Sequence, residues 1–232
     1  MTRPMATTAL LTFATTSTAL AAIPPMPGMT SGLGMPGNGM IHAEIAVQNN
    51  TVSAVLRDGP SGGATPDNRL VAGPAAAFDP PYNVLSNRLY NAQYGWLEDQ
   101  TIGFTPIDIT PDESIWIELL STAGPGTVNI YEGGNGQQLT ATGHTMAPIH
   151  GTAGSPAAWQ WDDDFLMQHN WYTFSTPGDY DLTFNIYVGD NNGASLSTYT
   201  PAQLILTFTA IPEPGSAALL LPLAALTRRR SH

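Results

Sequence analysis

Residues 179–188 alternate without a break. Tyr180, Leu182, Phe184, Ile186 and Val188 fall on one side, and Asp181, Thr183, Asn185 and Tyr187 on the other. Side chains of an extended strand change face at every residue, so this pattern has one apolar face only as a strand. Wound into a helix, the same residues would scatter around the axis. The pattern recurs. Residues 42–48 and 51–57 alternate on either side of Asn49-Asn50, a pair that tolerates left-handed backbone and predicts a tight hairpin. Residues 114–121 set Ile115, Ile117 and Leu119 on one face, Gly124-Pro125-Gly126 turns the chain into a strand over 128–132, and residues 203–210 point Leu204, Leu206 and Phe208 inward. Half-buried strands separated by Gly, Pro and Asn clusters imply an all-β fold, an antiparallel β-sandwich of Ig-like or jelly-roll-like type with long loops. No helical periodicity is sustained and no internal repeat is visible. Residues 58–100, rich in Pro, Gly and aromatics, read as a loop region over one end of the sandwich, with a short helical turn around 85–90.

Four parts divide the 232 residues. Residues 1–21 read as a secretory signal peptide: Arg3 is the positive n-region, an uncharged Thr-diluted apolar stretch follows, and Ala19-Leu20-Ala21 fits small-x-small cleavage. Residues 22–40 carry four Pro and four Met and read as a flexible linker, 41–210 as the β-sandwich domain, and 211–232 as a separate tail. Clustered thioethers suit Cu(I), but in a Gly/Pro linker apolar filler is the plainer reading. Between residues 22 and 211 only Arg57, Arg69 and Arg88 oppose 17 acidic residues, a net charge of −14 that repels nucleic acid and attracts cations. The chain has no Cys and no Lys, which excludes disulfides, thiolate metal sites, a cysteine nucleophile, a Walker lysine and a Schiff base.

The tail reads Ile211-Pro212-Glu213-Pro214-Gly215, then an apolar run, then Arg228-Arg229-Arg230. It resembles the PEP-CTERM sorting signal of exosortase substrates. The physics agrees. Pro212 and Pro214 uncouple the tail from the domain, and the arginines hold its end at the cytoplasmic side. A helix over 215–227 would rise only about 20 Å against a hydrocarbon core of about 30 Å, which suits a short sorting helix and transient anchorage in the inner membrane. The implied partners are the exosortase and the export machinery, and the implied location is the cell envelope or outer surface.

Within the body, Phe174, Pro177, Gly178 and Tyr180, with His169 upstream, match a Phe-Thr-x-Pro-Gly-x-Tyr segment that follows a His-x-His strand. This resembles the choice-of-anchor M surface-anchored domain and the related zinc-regulated (Zur-repressed) PEP-CTERM family. His42-Ala43-Glu44 is similar to the His-x-Asp strand that opens that domain, and Gly124-Pro125-Gly126 to its middle turn. The resemblance implies an envelope protein connected with zinc. One departure stands out: Met167 occupies the place of the first His of the His-x-His strand.

Zinc takes imidazole nitrogen at about 2.0–2.1 Å and three or four protein ligands. The candidate ligands are His42, His150 and His169. His42 and Glu44 share one strand face, whereas His144 and His150 lie in a Gly/Pro/Thr stretch whose spacing aims them at nothing in particular. Asp162-Asp163-Asp164 and Asp190-Asn191-Asn192-Gly193 are oxygen-rich but lack EF-hand spacing. Trp96, Trp116, Trp159 and Trp161 are candidates for a sugar-stacking platform, though Trp116 lies in a strand and reads as core. Neither a Gly-x-Ser-x-Gly elbow nor His-Glu-x-x-His occurs, so a hydrolase is disfavoured. Two readings stand: a non-catalytic exported protein binding zinc or a similar divalent cation, or a matrix or adhesion sandwich without a metal.

Overall fold

A computed structural model describes residues 28–29, 40–58, 69–99, 107–133, 148–150, 157–161 and 167–212. The expected signal peptide and sorting helix, His144 and Asp162–Asp164 lie outside these residues. The fold is all-β. Its strands are β1 (Ile41–Gln48), β2 (Thr51–Asp58), β3 (Leu70–Pro74), β4 (Leu89–Asn91), β5 (Tyr94–Glu98), β6 (Glu113–Ala123) and β7 (Val128–Tyr131). They continue as β8 (Pro148–His150), β9 (Ala158–Gln160), β10 (Gln168–His169), β11 (Trp171–Phe174), β12 (Gly178–Asp190) and β13 (Ala202–Ala210). A 3₁₀ turn, Tyr82–Leu85, precedes β4. Among the described residues no helix is long and apolar enough to cross a membrane.

The strands form two sheets, β10-β5-β1-β2 and β8-β7-β11-β4-β3-β13-β12-β6-β9. The end strands β8 and β9 touch, so the larger sheet nearly closes on itself. Ile41, Ile45 and Trp96 of the small sheet and Phe184, Leu206 and Phe208 of the large one belong to a common apolar core. Phe208 makes ring contacts with Tyr94 at 5.1 Å, Tyr172 at 5.0 Å and Phe174 at 5.0 Å, joining the sheets through aromatics. A second cluster of Tyr82, Leu85, Tyr90, Tyr131 and Trp171 lies beside it.

Local signals explain several elements. Asn49 and Asn50 both have positive φ, 48° and 61°, which is the type I′ geometry that lets a two-residue turn follow strand twist. That turn sets the β1–β2 register, pairing Gln48 with Thr51 and, six residues further on, His42 with Arg57. At Gly178, φ is 139° and the residue packs against Pro125. The chain then turns into β12, and the Tyr180 hydroxyl donates to the Thr176 carbonyl at 2.7 Å. The alternation of β12 is as expected, with Tyr180, Leu182, Phe184, Ile186 and Val188 all buried. Opposite it, β6 carries a bulge: Phe184 faces Leu119 and Thr183 faces Ser121, leaving Leu120 as the extra, exposed residue.

Four expectations are corrected. The sheets are mixed, because β1–β5 and β13–β3 run parallel. Of the stretch 58–100 expected as a loop region, the described residues 69–99 supply β3, β4 and β5, and the helical turn sits earlier than expected, at Tyr82–Leu85. The linker docks in part, since Ala92 N–H donates to the Met29 carbonyl and the Tyr90 hydroxyl to that of Gly28. Trp116 is half-buried, lying over Gly189 and Gly193 and donating its indole N–H to the Asp190 carbonyl, rather than in the core.

Candidate functional site

Three strands of the small sheet bring the site together. In the parallel β1–β5 register His42 stands beside Gly95, and in the antiparallel β5–β10 register His169 stands beside the same Gly95. Arg57 continues the row beyond His42. The row is therefore Arg57, His42, Gly95, His169, all on one face. Trp96, the next residue along β5, points the other way and packs against Phe184 in the core, 5.4 Å between ring centroids. Two imidazoles remote in sequence meet here because the residue between them has no side chain. A Cβ at position 95 would lie 2.8 Å from Cε1 and Nε2 of His169 and 3.2 Å from Cδ2 of His42.

The ring centroids are 6.3 Å apart, with planes inclined at 63°. Two imidazoles on one tetrahedral zinc would stand roughly 5 Å apart, given Zn–N of about 2.0–2.1 Å. Closing the pair takes about one ångström. His169 is oriented for this. Its Nδ1 lies 2.9 Å from the Ala92 carbonyl, which accepts only, so Nδ1 carries the proton and Nε2 the lone pair. Nε2 is buried and makes no well-aligned hydrogen bond among the described residues, while the Tyr94 backbone lies close enough to the ring to favour its charged form slightly. Holding one ring nitrogen on a backbone carbonyl is how proteins orient an imidazole whose other nitrogen binds a metal. Burial, with a smaller contribution from neighbouring His42, pushes the His169 pKa down to about 4, so the ring is neutral at ordinary pH.

Glu44 shares the face two residues along β1, and its side chain is 1% exposed. Its Oε2 lies 2.7 Å from Nε of Arg57. The two groups form a close ion pair. Burial raises the Glu44 pKa, Arg57 opposes that rise, and the Asp99 carboxyl adds to it.

The structure thus brings His42 and His169 together. It places His150 elsewhere: this residue ends β8 and its ring lies 6.1 Å from Phe184, on the core side of β5. Among the described residues no three His, Asp or Glu side chains stand together as a ready-made metal cage. The other candidates are used structurally. Asp190 Oδ1 accepts the Asn192 and Ala194 N–H groups and closes its own turn. Trp96, Trp159 and Trp161 are buried and present no stacking platform. A cleft of about 580 Å³ lies beside Ile109, Glu113, Ser114, Gln160 and Trp161. The Glu113 carboxylate there is already engaged by the Thr110 N–H at 2.8 Å and the Tyr199 hydroxyl at 2.7 Å, and the first of these contacts leads in lowering its pKa.

Gly95 escaped the sequence reading, although a glycine inside Tyr94–Glu98 is a signal of close approach across a strand. The Ala92 carbonyl carries no such signal, because only the fold brings it to His169. No family model, curated protein or solved structure matches this chain.

Proposed function

We propose that this is an exported, non-catalytic cell-envelope protein, an Ig-like or jelly-roll-like sandwich, that binds Zn²⁺ or a similar divalent cation between His42 and His169. The observation that carries the metal reading is the buried Nε2 of His169, tied in its tautomer by the Ala92 carbonyl and facing His42 across Gly95. Imidazole nitrogens suit zinc and its borderline neighbours rather than calcium. The strongly acidic body favours cations over nucleic acid. The envelope reading rests on the two ends of the chain. Arg3 and Ala19-Leu20-Ala21 mark export, and Pro212-Glu213-Pro214 with Arg228, Arg229 and Arg230 marks exosortase sorting.

Zinc titration of the purified chain should give one site. His42→Ala and His169→Ala should each weaken it by more than the roughly 10–100-fold typical of losing an outer-shell partner. Unchanged binding in both variants would leave the alternative, a matrix or adhesion sandwich without a metal. For the envelope half, intact mass of the protein from its own cells should show a form lacking Arg228–Arg230. Recovery of the complete tail in all of it would refute sorting by cleavage.

A further inference from the structure

Resting on the His42–His169 reading, we infer that Glu44 is the third ligand of the cation and that Arg57 is its stand-in, pairing with Glu44 until the cation displaces it. Two imidazole ligands leave a zinc ion one or two ligands short, and imidazole as a ligand brings no charge to offset a buried dication. The missing ligand must be anionic and on the same face. Asp99 lies just past the end of β5, four residues on from Gly95, with its N–H on the Ile45 carbonyl and its carboxyl against that of Glu44, so it stands beyond Glu44 from the imidazoles. Four strand residues span about 13 Å. Glu44 is two residues from His42 on the same strand, about 7 Å along it, within reach of its own flexible side chain. A histidine and an acid at that spacing point to the same side of the sheet.

Two groups already contact the Glu44 carboxyl, the Arg57 guanidinium and the Asp99 carboxyl. The hairpin places Arg57 directly across from His42, and its guanidinium takes the carboxylate at 2.7 Å. A buried carboxylate needs a counter-charge, and leaving it uncompensated is costly. Only one partner is free to leave: the Arg57 side chain is 20% exposed and reaches water, whereas Glu44 is 1% exposed. Cation and guanidinium carry like charge and compete for the same oxygens, so each occupies the site at the expense of the other.

Zinc titration of the full chain tests this, with Co²⁺ absorption as the reading of ligand geometry. Glu44→Gln should weaken zinc by roughly 100-fold and alter the Co²⁺ spectrum. Arg57→Met keeps the stem, removes the competitor and should tighten zinc by roughly tenfold. The double variant Glu44→Gln/Arg57→Met removes both buried charges together, so it guards against a simple folding failure. It should bind as weakly as Glu44→Gln alone. Wild-type affinity in Glu44→Gln or in the double variant, alongside loss in the histidine variants, would overturn the role of Glu44 and leave the two-histidine site standing. Unchanged or weaker zinc binding in Arg57→Met would overturn the exchange. Insensitivity of the histidine variants would instead remove the site on which both depend.

Discussion

Gly95→Ala is expected to lower zinc affinity at least 100-fold while the fold survives. The added methyl would sit 2.8 Å from both Nε2 and Cε1 of His169, closer than carbon normally approaches a ring. His169 cannot simply retreat, because Nδ1 is tied to the Ala92 carbonyl at 2.9 Å and the residue is buried. The same methyl would press on Cδ2 of His42 at 3.2 Å, so the imidazoles would be wedged apart when binding requires them to close. Overpacking of this kind costs about 1–3 kcal/mol. For a domain of this size, that lowers Tm by several degrees, at roughly 2–4 °C per kcal/mol. Calorimetric titration and a thermal melt separate the two effects. A folded Gly95→Ala protein with wild-type affinity would show that the imidazoles do not act together.

Phe208→Ala is expected to produce the largest loss of stability, about 3–5 kcal/mol. Against a typical total of about 5–15 kcal/mol, that is a large share. Phe208 is fully buried and touches Tyr94 of the small sheet as well as Tyr172 and Phe174 of the large one. Truncation would open a cavity where the sheets meet, and three rings held in place by other contacts could not collapse to fill it. Urea unfolding measures the loss. Ile205→Ala, three residues away on the same strand and 50% exposed, is the matched control and should stay within about 0.5 kcal/mol of the parent. If Phe208→Ala cost no more than that control, the sheets would be held together elsewhere.

Legibility in the sequence followed burial. β12 and β13 could be read because one face is buried and the other wetter, which produces alternation. β5 could not, because Tyr94–Leu97 is buried throughout and a strand covered on both faces carries no period-two signal. β1 misleads in the opposite way. Its polar residues look like a solvent face, yet His42 and Glu44 are as buried as Ile41 and Ile45. Part of the site was within reach: the Asn49-Asn50 turn fixes Arg57 opposite His42, and a glycine inside a strand invites a neighbour. The convergence of His42 on His169 was not, since β10 is two residues long and its partner is set by the whole topology. Period-two patterning says which way a side chain points. It does not say which strand lies alongside.

The parallel pairing of β1 with β5, and the late arrival of β10 on β5's far side, have a bearing on how the chain matures. The two imidazoles are separated by more than half the polypeptide, and nothing local holds either near the other. On the proposed reading, a cation would find its two nitrogens only after the last strand of the small sheet has docked, and its binding energy would stabilise the docked arrangement rather than earlier ones. If the chain is exported and binds zinc as proposed, occupancy would report that β10 has reached its place beside β5.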